Sequence, residues 1–596
     1  MKKAQSAYIQ AINTESATFY HLTYQKSKCV EDIDVYANAT CVTFNKYDEV
    51  DSYNLKDVKK QYPNVTKLII GEQVKVIEIS NFMFPNVRDV ESKSEFFLSG
   101  SMLINSDNML LNSFCLREDE QIDLSNVTYI CDYALEGCRS KDIVPLADAE
   151  IPQNIYFDEN TFEGFRPLLA QEYENGICKF GNNIILDIEE GVDIVMPDNI
   201  HHVYRTATEK TIKKLTVKKI SDIDNVYVAN FKINTLNIDN DTINAASIKQ
   251  RHYKGLLVNE YMISPDNAFL TTINGIVYTK DMKSLIACPI AKTGIIHIPN
   301  GVECIGESAF SGSLISGVIM PESIKKIEKE AFFDCLNLEK VVLGQAISVI
   351  PDSCFKYCLN IKDIEIPRQI THIERFAFYG SGVENVRLHD GIRIITNYAF
   401  FGCKNLLEIT LPDSLCCVGL DNFEHVTMLH IGERLPCVDS LYAAIGFNIR
   451  PENRYGLYTK IVCADGNVYF IPKDISRNKL MEIARTLENT TKIESGWSFF
   501  KLCKGSYYRQ MIAWEAYIET NNENIKKYLQ RGCSTLIVCF IRKGDEENAI
   551  RALKIFTPTE KAMEYIRHAA EESQMTSLLA YILNKTKSQQ KKSFNL

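Results

Sequence analysis

Six phenylalanines in this chain of 596 residues fall at positions 310, 332, 355, 378, 400 and 423, spaced 22, 23, 23, 22 and 23 apart. A period that regular dictates one structural coil per repeat, because a unit of this size can bury its apolar face only by stacking on its neighbours. The residues before each ring repeat with it: Ile305-Gly306-Glu307-Ser308-Ala309-Phe310 is followed by Ile327-Glu328-Lys329-Glu330-Ala331-Phe332, then by Ile350 to Phe355, Ile373 to Phe378 and Ile395 to Phe400.

Each coil reads position by position. The segments Lys340-Val341-Val342-Leu343, Asp363-Ile364-Glu365-Ile366, Asn385-Val386-Arg387-Leu388 and Glu408-Ile409-Thr410-Leu411 alternate polar with apolar residues, the period of a half-buried strand. Val341, Leu343, Ile364, Ile366, Val386, Leu388, Ile409 and Leu411 are expected in the core, and Pro321, Gly344, Pro367 or Pro412 stops the strand. The residue three beyond each ring is Cys335, Cys358 or Cys403 in the long units and Ser313 or Ser381 in the short ones. Because the short units lose one residue and their cysteine together, this is expected to be a packing position.

That reading disposes of much of the cysteine count. Nineteen is an odd number and no Cys-x-x-Cys occurs; neither Cys354/Cys358 nor Cys416-Cys417 has a second half at zinc-ligand spacing. Buried thiols are expected, with no metal and no cofactor. The start of the chain lacks the apolar core of a signal peptide, and a stretch such as Leu536 to Ile541 is far short of the roughly 20 residues that cross a bilayer, so the expectation is a cytosolic protein away from membranes. The net charge of −10 divides into −16 over residues 1–478 and +6 over 479–596. No basic footprint of a general nucleic-acid binder covers the whole chain, and Lys585, Lys587, Lys591 and Lys592, set among Ser and Gln, are read as a disordered tail.

The repeat resembles the leucine-rich repeats of the BspA-like, or treponemal, class, whose unit runs Ile-Pro, turn, Ile-Gly, Ala-Phe, Cys, Leu and strand. The resemblance is specific over residues 296–431. It extends back to a family hairpin at Asn274-Gly275-Ile276-Val277-Tyr278 with Asp281 to Pro289, and to a second at Asn175 to Pro197. Degenerate units stand at Val65 to Gly71, Ile130 to Cys138 and Phe157 to Gly164. The resemblance implies an α/β-type solenoid with short strands on one face, interrupting β-hairpins and a partner-binding role. Members are often secreted or surface-attached, and no secretion signal is recognised here.

Beyond the repeats the period changes. Thr557-Pro558-Thr559-Glu560 reads as a capping box with Thr557 as cap, and polar turns at Asn521 to Asn524, Gly544 to Glu547 and Glu572 to Gln574 punctuate helical segments that resemble ankyrin-like helix pairs. An all-α domain that caps the open solenoid end is expected. The resulting organisation is an N-terminal segment or cap over 1–60, degenerate repeats over 61–265, a hairpin over 266–297, clear repeats over 298–432, a connection over 433–478 and the helical domain with its basic tail over 479–596.

No catalytic motif is present. There is no phosphate loop, no His-Glu-x-x-His and no Gly-x-Ser-x-Gly; the histidines are scattered, with His389 standing where other units place Pro or Gly, and Asp187-Ile188-Glu189-Glu190-Gly191 reads as a solvated acidic turn. The expectation is a non-enzymatic interaction protein. Its face consists of the outward strand positions: Lys340, Asp363, Asn385 and Glu408 in one row, Val342, Glu365, Arg387 and Thr410 beside it. Mixed charge with some apolar area suits a protein partner and does not suit a phosphate backbone. The alternative is an effector or enzyme whose activity resides in residues 479–596. Composition indicates neither the partner nor the oligomeric state.

Overall fold

The computed structural model describes residues 7–10, 19–22 and 29–593, apart from 47–50, 116–119, 145–172, 181–183, 204–208, 220–230, 249–256 and 447–455 and the single positions 31, 34, 36, 58, 141, 199 and 201. The degenerate unit at Phe157 to Gly164 lies outside the described residues. The chain divides into two compact units, Met1–Val277 and Tyr278–Leu596.

In the first unit successive coils pair in parallel. Cys41–Phe44, Lys67–Ile70 and Asp89–Ser92 form one ladder, while Cys29–Val30, Ser52–Leu55 and Val76–Ile79 form another. Val42, Phe44, Leu68 and Ile70 are fully buried and their neighbours are not, the alternation of a strand with one face in the core. Parallel pairing thus begins inside the segment set apart as 1–60. Further along, Asp193–Val195, Lys210–Val217, Phe231–Ile238 and Leu257–Ile263 pair in parallel, and Ile177–Phe180 folds back antiparallel on Ile184–Ile188, where a hairpin was expected.

The second unit begins with the clear repeats, which form a β-solenoid. Each coil contributes the expected strand, as in Gly317–Ile319, Lys340–Val342, Asp363–Glu365, Asn385–Arg387 and Glu408–Thr410. It also contributes a second strand of two residues: Val349–Ile350, His372–Ile373, Ile394–Ile395 and Cys417–Val418 form a four-stranded parallel ladder. Two residues are too few for a polar–apolar alternation to register in a sequence. Of the expected core positions only Val341 is merely half-buried.

The repeated phenylalanine explains how the coils hold together. Phe310, Phe332, Phe355, Phe378 and Phe400 form a continuous stack with centroids 4.8, 5.2, 5.3 and 5.1 Å apart and ring planes within 16° of parallel. Strand pairing fixes the rise per coil at about 4.8 Å, so a ring repeated at one position meets its copy at stacking distance. Around each ring the chain turns sharply. The residue two before it is left-handed in every clear coil (Ser308, Glu330, Ser353, Phe376, Tyr398 and Asp421), and so is the residue two after it in five of them (Gly312, Asp334, Tyr357, Gly380 and Gly402).

The solenoid ends in a cap. Tyr458–Cys463 extends the ladder by pairing in parallel with Met428–Ile431, Val468–Pro472 returns antiparallel, and the helix Val438–Ile445 packs beside them. The helix Arg477–Asn489 packs on Val438–Ile445, and Ser506–Thr520, Glu523–Arg531, Cys533–Lys543, Glu546–Ile555, Glu560–Glu572 and Thr576–Ser593 follow around a core that holds Trp514, Leu529, Phe540 and Phe556. The expected turns are present, with left-handed Asn521, Gly544 and Gln574 at helix ends and Asn522 and Asp545 capping the helices that follow. Two expectations are corrected. The cap of Glu560–Glu572 is Thr559, whose hydroxyl accepts from Ala562 N–H at 3.3 Å, while Thr557 is tied to Gln530. The lysine tail continues a helix to Ser593, and Lys585 reaches the carbonyl of Leu553.

Candidate functional site

All eight residues expected on the outward strand rows are exposed. Lys340 and Val342 sit opposite Gly317 and Ile319, Asp363 and Glu365 opposite Asn385 and Arg387, and Glu408 and Thr410 opposite Met428 and His430, in three separate sheets. The strands tie some of these groups together. Asn385 Nδ2 donates to Asp363 Oδ1 at 2.7 Å, His389 Nε2 lies 3.4 Å from Glu365 Oε1, and His430 Nε2 lies 2.5 Å from Glu408 Oε1. The face therefore carries separate polar contacts between adjacent coils, set beside the aliphatic surface of Val342, which is 41% exposed.

Pairing on this face is interrupted between Lys340–Val342 and Asp363–Glu365, which belong to different sheets. A depression of about 440 Å³ lies across the interruption, with Val342, Leu343 and Pro367 as apolar lining and Gln345, Glu365, Arg368 and His389 as polar lining. Sequence reading had Val342 and Glu365 but missed Gln345, Arg368 and His389, which follow the strands. The available signal was His389 itself, an imidazole where sister coils carry Pro or Gly. Here it faces the carboxylate of the preceding coil rather than merely filling a turn.

The acidic run at 187–190 is corrected. Asp187 belongs to the strand Ile184–Ile188 and is 8% exposed; its carboxylate accepts from Lys210 Nζ at 2.7 and 2.5 Å and from Tyr173 hydroxyl at 2.6 Å. A counter-ion at the start of the strand Lys210–Val217, in a neighbouring sheet, allows this carboxylate to be buried. Only Glu189 and Glu190 are exposed. Among the described residues no group of His, Cys, Asp and Glu is placed to hold a metal ion, and no helix is long and apolar enough to cross a membrane.

The family model for the BspA type leucine-rich repeat region matches this chain in six copies, over residues 290–406 and 371–432. No curated protein matches. Among solved structures, a leucine-rich repeat protein from Eubacterium ventriosum is similar at 12% identity over 71% of this chain and 95% of its own, with a TM-score of 0.28. A leucine-rich cell surface protein from Faecalibacterium prausnitzii is similar at 15% identity over 70% and 95%, TM-score 0.28, and the pneumococcal vaccine antigen PcpA at 13% over 82% and 98%, TM-score 0.26.

Proposed function

Since residues 290–432 are BspA-type leucine-rich repeats, we propose that this chain is a non-enzymatic interaction protein that holds a protein partner on the strand face built from Lys340, Val342, Asp363, Glu365, Asn385, Arg387, Glu408 and Thr410. The observation that carries the reading is the depression across the interrupted ladder. It offers the exposed side chain of Val342 over a floor of buried Leu343 and Pro367, with charges of both signs within one concavity, the composition of a protein-binding surface. A phosphate backbone would favour a uniformly basic row, and Asp363, Glu365 and Glu408 make this one mixed. The residues after 432 act as the cap that continues the ladder and covers the last coil.

The test is a charge-reversed chain, Lys340→Glu with Glu365→Lys and Arg387→Glu. With its circular dichroism unchanged, it is expected to lose the partners that the unmodified chain retains in affinity purification with mass spectrometry. Retention of the same partners by the altered chain overturns the strand face as the binding surface.

A further inference from the structure

A second surface lies on the turn side of the same coils. Phe333, Tyr357, Tyr379 and Phe401 form a file of rings along the coils at successive spacings of 5.9, 5.6 and 5.4 Å, flanked by Phe376 and Tyr398, which stack at 5.6 Å. These six are distinct from the buried stack. Tyr357 is 38% exposed, and the other five are half-buried.

Three of these rings stand where the backbone disfavours them. Tyr357 has φ of 63° at the position that Gly312, Gly380 and Gly402 occupy in sister coils, and Phe376 and Tyr398 have φ of 57° and 61° where other coils carry Ser, Glu or Asp. A bulky residue is strained in the left-handed region, and the sister coils show that the turn closes without an aromatic there. Aromatic side chains kept at a backbone cost on an accessible surface mark an interaction site.

Two cations are set directly against the rings, on turns that also carry Asp334, Asp352 and Glu374. The Lys356 ammonium lies 5.1–5.6 Å from the centroids of Phe333, Tyr357, Phe376 and Tyr379, and the Arg375 guanidinium lies 4.3 Å from that of Phe376. Among the described residues neither cation has a carboxylate within ion-pair distance. Tyr357 meets Tyr379 at 82°, Phe376 meets Tyr379 at 86° and Tyr398 meets Phe401 at 84°, so the surface is ridged. A sugar ring stacks on a flat platform, whereas ridges and clefts receive the separate side chains of a peptide. We propose that this aromatic file is a second binding site, for an acidic peptide segment whose apolar side chains enter between the rings and whose carboxylates pair with Lys356 and Arg375.

The proposal is independent of the strand face and is tested apart from it. A display library of random dodecapeptides is selected on the full chain, and the enriched peptides are measured by fluorescence anisotropy. Expected are sequences rich in Asp or Glu with Leu, Pro or aromatic residues. They should bind at least tenfold more weakly to the Lys356→Glu, Arg375→Glu double variant and to Tyr357→Gly, whose backbone is relieved rather than strained. The strand-face variant should bind them unchanged. Enrichment without acidic residues, equal binding by the double variant, failure to enrich any peptide, or binding of polygalacturonate in place of peptide overturns the proposal.

Discussion

The thiols of Cys335, Cys358 and Cys403 each donate to the carbonyl of the phenylalanine in the preceding coil, Phe310, Phe332 and Phe378, at 2.9, 3.0 and 3.1 Å. They pack and they also satisfy a buried acceptor. In the short units Ser313 and Ser381 lie against the next cysteine at 3.6 and 3.5 Å. Burial pushes the Cys354 and Cys358 thiols far above the ordinary range and Cys403 up to about 12, which keeps them as inert thiols. Iodoacetamide on the folded chain is therefore expected to label exposed Cys416 and leave these three unmodified until denaturant is added; peptide mass spectrometry reads the order. Glu424 gives a second expectation. It is 6% exposed, with one oxygen accepting from Gly402 N–H at 2.5 Å and the other unpartnered among the described residues. Burial, with a smaller contribution from Asp421, raises its carboxyl to about 7 against the pull of the Gly402 N–H and Lys473. The unfolded chain ionises near 4.5 while the folded one keeps the proton to about 7, so stability falls as pH rises through that window and then levels. At about 1.4 kcal/mol per pKa unit the fall is roughly 3 kcal/mol. Glu424→Gln is expected to remove this slope from the melting temperature between pH 5 and 8.

At the level of the coil, two features set stability. Phe355 is fully buried in the middle of the stack, with a ring on each side. Phe355→Ala is expected to cost about 3–5 kcal/mol. Since a solenoid coil touches only its neighbours, hydrogen exchange in the variant should rise first in the coils of Phe332 and Phe378 and least at Trp514. A uniform rise across the second unit would contradict nearest-neighbour coupling. The other feature is the short unit. Its chain passes so close to the coil before it that a Cβ on Gly382 would stand 1.8 Å from the carbonyl oxygen of Leu359. Gly382→Ala is expected to unfold this coil, read as lost amide protection around Gly382 and Leu359.

Taken as a whole, the second unit relies on its end. Tyr458–Cys463 occupies the edge that Met428–Ile431 would otherwise expose, Lys460 pairs with Glu519 of the helix Ser506–Thr520, and buried Lys473 donates to the carbonyls of Glu424 and Val426 at 3.1 and 3.4 Å. A chain ending at residue 432 would leave a flat apolar strand edge unpaired, an aggregation template. Size-exclusion chromatography is expected to show it as aggregate, against a defined peak for the full chain; a monodisperse truncated chain would show that the last coil needs no cover.

The period of 22–23 residues, the strand rows, the buried phenylalanines and the cysteine packing position were all legible in the sequence, because a repeat imposes the same local environment on each copy and so writes it several times. The helix turns at Asn521 and Gly544 were legible for a local reason, since left-handed helix ends select Asn and Gly. Other features depended on what lies one coil away, a relation that no local pattern encodes. The two-residue strands exist only through pairing, Asp187 is buried only because Lys210 reaches it, and the depression at Val342 opens only where adjacent strands fail to pair. The aromatic file is divided between the two: Phe333, Tyr379 and Phe401 each follow the repeated phenylalanine by one residue and so were legible, whereas Tyr357 stands one step later, and only the stacking of coils brings its ring into their line.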